Sequence, residues 1–106
     1  MNATQKVELS KQEATILNFL RSMGAFADRN NNKSGEGVSL HDINYLYIDY
    51  RGVLENLSQK NCIFKDTVTC YDESSAPIKF DCYYIKPTGA FSLYMYENSQ
   101  FDREES

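Results

Sequence analysis

The side chains best suited to catalysis or metal binding are few in this chain. One histidine, His41, and three cysteines, Cys62, Cys70 and Cys82, occur among its 106 residues. A zinc site needs about four closely arranged Cys or His ligands, and the chain contains no C-x-x-C pair. A nucleophile activated by histidine would have to use His41, for which spacing indicates no partner. The sequence therefore predicts no enzyme, no metal site and no cofactor.

Oxygen side chains alternate along residues 28–37, DRNNNKSGEG, in the manner of an EF-hand calcium loop. Lys33, however, stands where that loop needs a glycine, and Ser39 stands where it needs a bidentate glutamate. The segment contains no apolar residue. We therefore expect an exposed, solvated loop rather than a calcium site.

Cys70 and Cys82 leave two interpretations open. If a hairpin turned near Ser75 and Ala76, the two thiols would face each other on adjacent strands, within reach of a disulfide. Two buried thiols in a reducing compartment are the favoured interpretation.

Charge and hydropathy limit the partners that the chain is suited to bind. The formal net charge is −4, whereas nucleic-acid binders usually carry a basic excess that contacts phosphates. No apolar run approaches the roughly 18 residues of a membrane span, and the N-terminal residues have no signal-peptide core. We therefore expect a cytoplasmic protein without membrane contact, and the acidic charge weighs against DNA binding.

Two helices are indicated in the N-terminal half. Ser10 and Glu13 form a capping box, and the apolar stripe behind it predicts a first helix from about Lys11 to Ala27. Ser39, followed three residues later by Asp42, is an N-cap signal for a second helix. The apolar side of that second helix is expected to comprise Leu40, Ile43, Tyr45, Leu46 and Ile48.

A third helix is the element around which the others are arranged. Tyr50, Val53, Leu54 and Leu57 have the spacing of one buried helix face. Asn61 suits the left-handed conformation that closes a helix before an extended segment begins. The sequence therefore predicts a helix that ends at about Asn61.

A hairpin follows the third helix. Residues 67–71 are rich in β-branched and aromatic side chains, and residues 72–77 have the composition of a turn. The return strand alternates apolar and polar side chains, which predicts one buried face. That face would be formed by Ile78, Phe80, Cys82 and Tyr84.

The segment after Gly89 fits either a helix or a strand, and a helix is the favoured interpretation. Its aromatic residues Phe91 and Tyr94 lie outside the preceding elements, so they are expected to pack on the first helix or to form a homodimer seam. Residues 97–106 are acidic and are predicted to be a disordered tail. Residues 1–96 are predicted to form a single domain.

This order of elements resembles the winged helix-turn-helix regulators of the MarR and PadR type. The third helix of that family ends in a Leu-x-x-Lys-Gly-Leu-Ile pattern, and its wing returns through Tyr-x-Leu-Thr-Pro-x-Gly. Residues 83–89, YYIKPTG, resemble the second pattern, with Lys86 where threonine is usual. The resemblance covers roughly residues 10 to 95, and it implies an α+β winged helix of three helices, a two-stranded wing and a C-terminal segment. The first pattern is matched by Leu57, Lys60, Asn61, Cys62 and Ile63.

DNA recognition is the function that this resemblance implies. The third helix would enter the major groove and the wing would contact the backbone of double-stranded DNA. The chain would then be a small, homodimeric transcription regulator of prokaryotic or phage type. The residues expected to contact DNA are Arg51, Asn56, Gln59, Lys60, Lys65 and Lys79.

Protein contact without DNA binding is the alternative function. Asp72 and Glu73 occupy the expected wing tip, where carboxylates repel phosphates. Tyrosine is favoured at protein interfaces because it buries area while keeping a hydroxyl for hydrogen bonding. The expected anchors are Tyr45, Tyr47, Tyr50, Tyr83, Tyr94 and Tyr96.

Overall fold

Four helices and a five-stranded sheet make up the described part of the chain, which confirms the predicted α+β class. The computed structural model describes residues 6–44, 50–71 and 73–105. The helices are α1 Lys11–Ser22, α2 Leu40–Asn44, α3 Tyr50–Gln59 and α4 Pro87–Glu105. The strands are β1 Phe26–Ala27, β2 Lys33–Ser34, β3 Val38–Ser39, β4 Ile63–Tyr71 and β5 Pro77–Ile85.

Strand β5 lies at the centre of the sheet. Along one side it pairs antiparallel with β4 over nine residues, from Ile63 opposite Ile85 to Tyr71 opposite Pro77. Along the other side it pairs only near its C-terminal end, antiparallel with β3 and parallel with β1, while β2 pairs with β1. The sequence predicted the two long strands and missed β1, β2 and β3, because a two-residue strand is too short to show alternation.

Helix α1 begins as predicted and ends five residues early. The Ser10 hydroxyl accepts a hydrogen bond from the Glu13 N–H at 3.1 Å, and the Glu13 carboxylate accepts one from the Ser10 N–H at 2.7 Å. The predicted end at Ala27 was wrong. Gly24 has a φ of 73°, and the Ala25 N–H donates to the Leu20 carbonyl at 3.1 Å. This left-handed glycine closes the helix and releases residues 26 and 27 to pair in the sheet.

The signals for the second and third helices fall in the expected places. The Asp42 N–H donates to the Ser39 hydroxyl at 3.3 Å, so Ser39 caps α2. Asn61 has a φ of 61°, and the Cys62 N–H donates to the Leu57 carbonyl at 2.9 Å, which confirms the predicted end of α3. The predicted continuation of the second helix through Tyr45, Leu46 and Ile48 lies outside the described residues.

The core joins α1, α3, the inner end of the hairpin and α4. Leu17, Leu20, Leu57 and Leu93 are almost wholly buried in it. Phe80, which the sequence placed on a buried face, is 39% exposed. The prediction was wrong for Phe80 because the packing over this face lies nearer the core, where Gly37 contacts Cys82 and Tyr84.

The C-terminal segment is helical, as favoured from the sequence. Helix α4 buries Ser92 and Leu93 and leaves Phe91 and Tyr94 exposed. Glu97 forms an ion pair with Arg21 of α1 at 2.8 Å. Helix α4 extends past residue 97, where the sequence predicted a disordered tail, and runs to Glu105.

The hairpin register separates Cys70 from Cys82. Cys70 lies opposite Ile78, whereas Cys82 lies opposite Asp66. The two thiols therefore do not face each other, and a disulfide between them is excluded by geometry. Cys82 is buried and Cys70 is exposed, so the prediction of two buried thiols holds for Cys82 alone.

Among the described residues, no helix combines the length and the apolar content that crossing a membrane requires.

Two glycines provide a matched test of this packing. The first turn of α4 packs against Cys62, which lies between α3 and β4, so a Cβ at Gly89 would collide with the Cys62 carbonyl oxygen. Gly89→Ala should therefore destabilise the fold by about 1 to 3 kcal/mol. A Cβ at Gly52 meets no described atom within 4 Å, so Gly52→Ala should stabilise α3 by about 0.5 to 1 kcal/mol. Urea unfolding of both variants measures the difference, and equal effects would contradict the described contact.

Candidate functional site

Helix α3 presents a polar face to solvent. Val53, Leu54 and Leu57 turn inward and are buried, as the predicted stripe required. The side chains between them are exposed and include three of the six predicted DNA contacts. The exposed set is Arg51, Glu55, Asn56, Ser58 and Gln59.

Lys60, the fourth predicted DNA contact, is engaged inside the protein. Its Nζ lies 2.9 and 2.8 Å from the two carboxylate oxygens of Glu13 and 2.8 Å from the carbonyl oxygen of Glu8. The Glu13 side chain is only 5% exposed. If Lys60 moved to a phosphate, the buried Glu13 charge would lose its cationic partner, which is costly.

The Glu13 carboxylate is the most strongly held acidic group at this junction. Burial by itself raises its pKa, but the hydrogen bonds from Lys60 and from the Ser10 N–H, together with the charge of Lys60, outweigh burial and leave the pKa lowered from 4.5. The carboxylate therefore remains charged and ties the start of α1 to the end of α3. Sequence reasoning recognised Glu13 as a capping residue and missed its distant partner, 47 residues away.

A groove of about 530 Å³ runs between α3 and β4. Its walls carry Arg51 and Ser58 from the helix and Lys65 from the strand, together with Glu55. The structure thus brings together two predicted DNA contacts, Arg51 and Lys65, beside one carboxylate. The apolar part of the lining is formed by Leu40, Leu54 and Tyr83.

Lys79, the remaining predicted contact, lies in a second groove. That groove lies between the start of α2 and the hairpin, and His41 lines it with Thr67 and Asp81. The Thr67 hydroxyl donates to the Asp81 carboxylate at 2.9 Å. Leu40 lines both grooves, so the three cations flank the start of α2 rather than meeting at one point.

The hairpin has two chemically different faces. In an antiparallel pair, directly opposite residues share a face and successive residues alternate. The face toward α3 carries Lys65, Thr67, Thr69, Lys79 and Asp81 in its outer half. The opposite face carries Val68, Cys70, Ile78 and Phe80.

The apolar face of the outer hairpin is open to solvent. Ile78 is 47% exposed and Phe80 is 39% exposed, while Val68, which lies opposite Phe80, is partly buried. Nearer the core the same face is covered, since Gly37 packs on Cys82 and Tyr84, and Lys33 pairs with Asp66. The alternation in the sequence correctly predicted an apolar face. It did not reveal that the covering elements stop at Asp66 and Cys82.

The edges of the outer hairpin are also unpaired within the described part of the chain. Strand β4 pairs with β5 and with no other described strand. Strand β5 has a second partner only from Cys82 onward. The backbone of residues 66–71 and 77–81 therefore presents free donors and acceptors on its outer sides.

The predicted tyrosine anchors are only partly available. Tyr94 is 59% exposed, whereas Tyr83 is buried and Tyr96 is partly buried. Tyr45 and Tyr47 lie outside the described residues, as does the side chain of Tyr50. Of the predicted acidic tip, Glu73 is exposed and Asp72 lies outside the described residues.

Two further candidate groups, Asp28 and Cys62, have structural explanations. The Asp28 carboxylate accepts hydrogen bonds from the Asn30 and Asn32 N–H groups at 2.8 and 2.9 Å, which organises the loop predicted to be solvated. Burial raises the pKa of the Cys62 thiol to about 11, so it is a poor nucleophile. Within the described ranges no cluster of three or more His, Cys, Asp or Glu side chains could hold a metal ion.

Comparison with known proteins adds no relative: no family model, curated protein or solved structure matches this chain.

The ion pair at the α1–α3 junction predicts an acid-dependent stability. Because the folded pKa of Glu13 lies below 4.5, its stabilisation is complete above about pH 4.5 and is lost as the pH falls through the folded pKa. Glu13→Gln should cost on the order of 2 kcal/mol at pH 7 and flatten the fall in unfolding free energy on acidification. Glu97→Gln is the control, since its pair with Arg21 is solvent-exposed and contributes little. An acid profile unchanged by Glu13→Gln would contradict this assignment.

Proposed function

We propose that this chain is a winged-helix module that acts by protein contact, with its outer hairpin as the contact surface. The winged-helix part of the proposal is supported by the order of elements. After α1 come the short strands β1 and β2, and then strand β3, helices α2 and α3, and strands β4 and β5, with β3 and β4 flanking β5. Three helices followed by a hairpin is the order that the resemblance implies, and it supports the proposal.

The exposure of Ile78 and Phe80 carries the functional part of the proposal. Contiguous apolar side chains on a monomer surface mark interaction sites. A two-stranded hairpin without further packing is only marginally stable in water. An apolar face together with two open edges therefore fits a surface that is completed by another polypeptide.

Ile78→Lys with Phe80→Lys tests this surface. Because both side chains are exposed in the free chain, the double variant should change the unfolding free energy by less than about 1 kcal/mol. It should nevertheless abolish any association that the unmodified chain shows, measured by sedimentation. Tyr94→Ala, which removes an exposed aromatic elsewhere, is the matched control. Association that survives the double variant would remove the hairpin from the proposal.

DNA binding is the second candidate, and one observation favours it. Arg51 and Lys65 line one groove, and Lys79 shares the polar face of the hairpin with Lys65. The net charge of −4 and the engagement of Lys60 by Glu13 count against it. The expected DNA contacts of α3 and the wing are thereby reduced to three cations and the amides of Asn56 and Gln59.

A titration with mixed-sequence duplex DNA separates the two candidates. If the chain acts by protein contact, binding should be unmeasurable at low salt, and Glu73→Lys should not create it. If DNA is the ligand, Arg51→Ala and Lys79→Ala should each weaken binding and reduce the log-log salt slope by about one unit. The second result would overturn the proposed function in favour of DNA recognition.

A further inference from the structure

The groove between α3 and β4 contains three charged side chains that have no ion-pair partner among the described residues. Arg51 and Glu55 lie on neighbouring turns of α3, and Lys65 lies on the opposite wall in β4. All three are exposed, and the ion pairs of the described residues include none of them. An arginine and a glutamate four residues apart on a helix are placed to pair with each other. Here both charges are left available to a ligand.

The floor of this groove is apolar. It is formed by Leu54 of α3 and Tyr83 of β5, which are buried, and by Leu40 at the start of α2, which is partly buried. Ser58, one turn beyond Glu55 on α3, adds a hydroxyl to the wall. Small-molecule sites combine an apolar lining with a few polar groups that fix the orientation of the ligand, and a volume of about 530 Å³ is typical of them.

The mixture of charges decides which ligand is complementary to the groove. A simple anion would be attracted by Arg51 and Lys65 and repelled by Glu55, and a simple cation would meet the reverse. A ligand that carries a carboxylate and an ammonium group on the same carbon satisfies all three side chains. An apolar substituent on that carbon would cover the floor. These requirements together describe an α-amino acid.

We propose that this groove binds a free α-amino acid with a branched or aromatic apolar side chain. Arg51 and Lys65 donate hydrogen bonds to the ligand carboxylate, while the ligand ammonium donates to the Glu55 carboxylate and the Ser58 hydroxyl. The side chain of the ligand lies on the apolar floor, where burial of its surface favours binding.

The amino-acid site is separate from the proposed contact surface. Lys65 and Tyr83 lie opposite each other on the face of the sheet toward α3, whereas Ile78 and Phe80 lie on the other face. The site therefore goes beyond the proposed function. Binding of the amino acid and protein contact can be measured, and lost, independently of each other.

Isothermal titration calorimetry of the full chain with L-leucine and its analogues tests the site. L-leucine should bind one to one. Each of three analogues should bind at least about tenfold more weakly, because each lacks one of the groups that the groove recognises. These are 4-methylpentanoate, which lacks the ammonium group, 3-methylbutylamine, which lacks the carboxylate, and glycine, which lacks the apolar side chain.

Two substitutions of similar size should change the order of these affinities in opposite ways. Glu55→Gln should weaken L-leucine binding by about tenfold and strengthen 4-methylpentanoate binding, because the carboxylate of the ligand is no longer repelled. Arg51→Gln should weaken both and strengthen 3-methylbutylamine binding. A merely structural role of either residue would not reverse the preference. Gln59→Ala, an exposed change on α3 outside the groove, is the matched control, and circular dichroism melting confirms that each variant is folded.

Three outcomes would overturn the amino-acid site. The first is no binding of either L-leucine or L-phenylalanine at millimolar concentration. The second is 4-methylpentanoate binding as tightly as L-leucine, which would make the groove a simple anion site. The third is an effect of Gln59→Ala equal to that of Arg51→Gln, which would place the ligand elsewhere. Ile78→Lys with Phe80→Lys should leave L-leucine binding unchanged, so failure of this site and failure of the protein-contact function are distinguishable.

Discussion

The last four residues of β5 join the short strands to the hairpin. Strands β3 and β1 both pair with residues 82–85, while β4 pairs along the full length of β5. Residues 82–85 are buried on both faces, and residues 77–80 are exposed on both. The inner half of the hairpin thus belongs to the core and the outer half to the surface. In β5 the change from exposed to buried side chains occurs between residues 80 and 82. The chemistry of the surface half decides which function the geometry supports.

Two further contacts hold the helices around that inner end. The Glu13–Lys60 pair joins the start of α1 to the end of α3, and Gly89 lets α4 approach the Cys62 carbonyl closely. Both act at residues 60–62, where α3 turns into β4. Lys60 stabilises this junction, and it is also one of the residues that the winged-helix resemblance predicts to contact DNA. The same contact therefore supports the fold and weakens the case for nucleic acid.

Local signals in the sequence predicted the elements well, and distant contacts account for what was missed. Capping at Ser10, the stripe ending at Leu57 and the left-handed Asn61 are each encoded within a few neighbouring residues, and each was confirmed. The Lys60–Glu13 pair and the exposure of Phe80 depend on residues far away in sequence, for which neither periodicity nor composition carries a signal. The helix end at Gly24 is an intermediate case. A left-handed glycine is a local signal that can end a helix, but the apolar pattern continues past it to Phe26 and favoured a longer helix.

In the proposed function, another polypeptide completes the surface formed by residues 66–71 and 77–81. Amide hydrogen exchange of the isolated chain tests this most directly, because exchange reports the opening of local structure. We expect residues 66–71 and 77–81 to exchange much faster than residues 82–85. Protection of residues 66–71 and 77–81 equal to that of residues 82–85 would contradict the proposal.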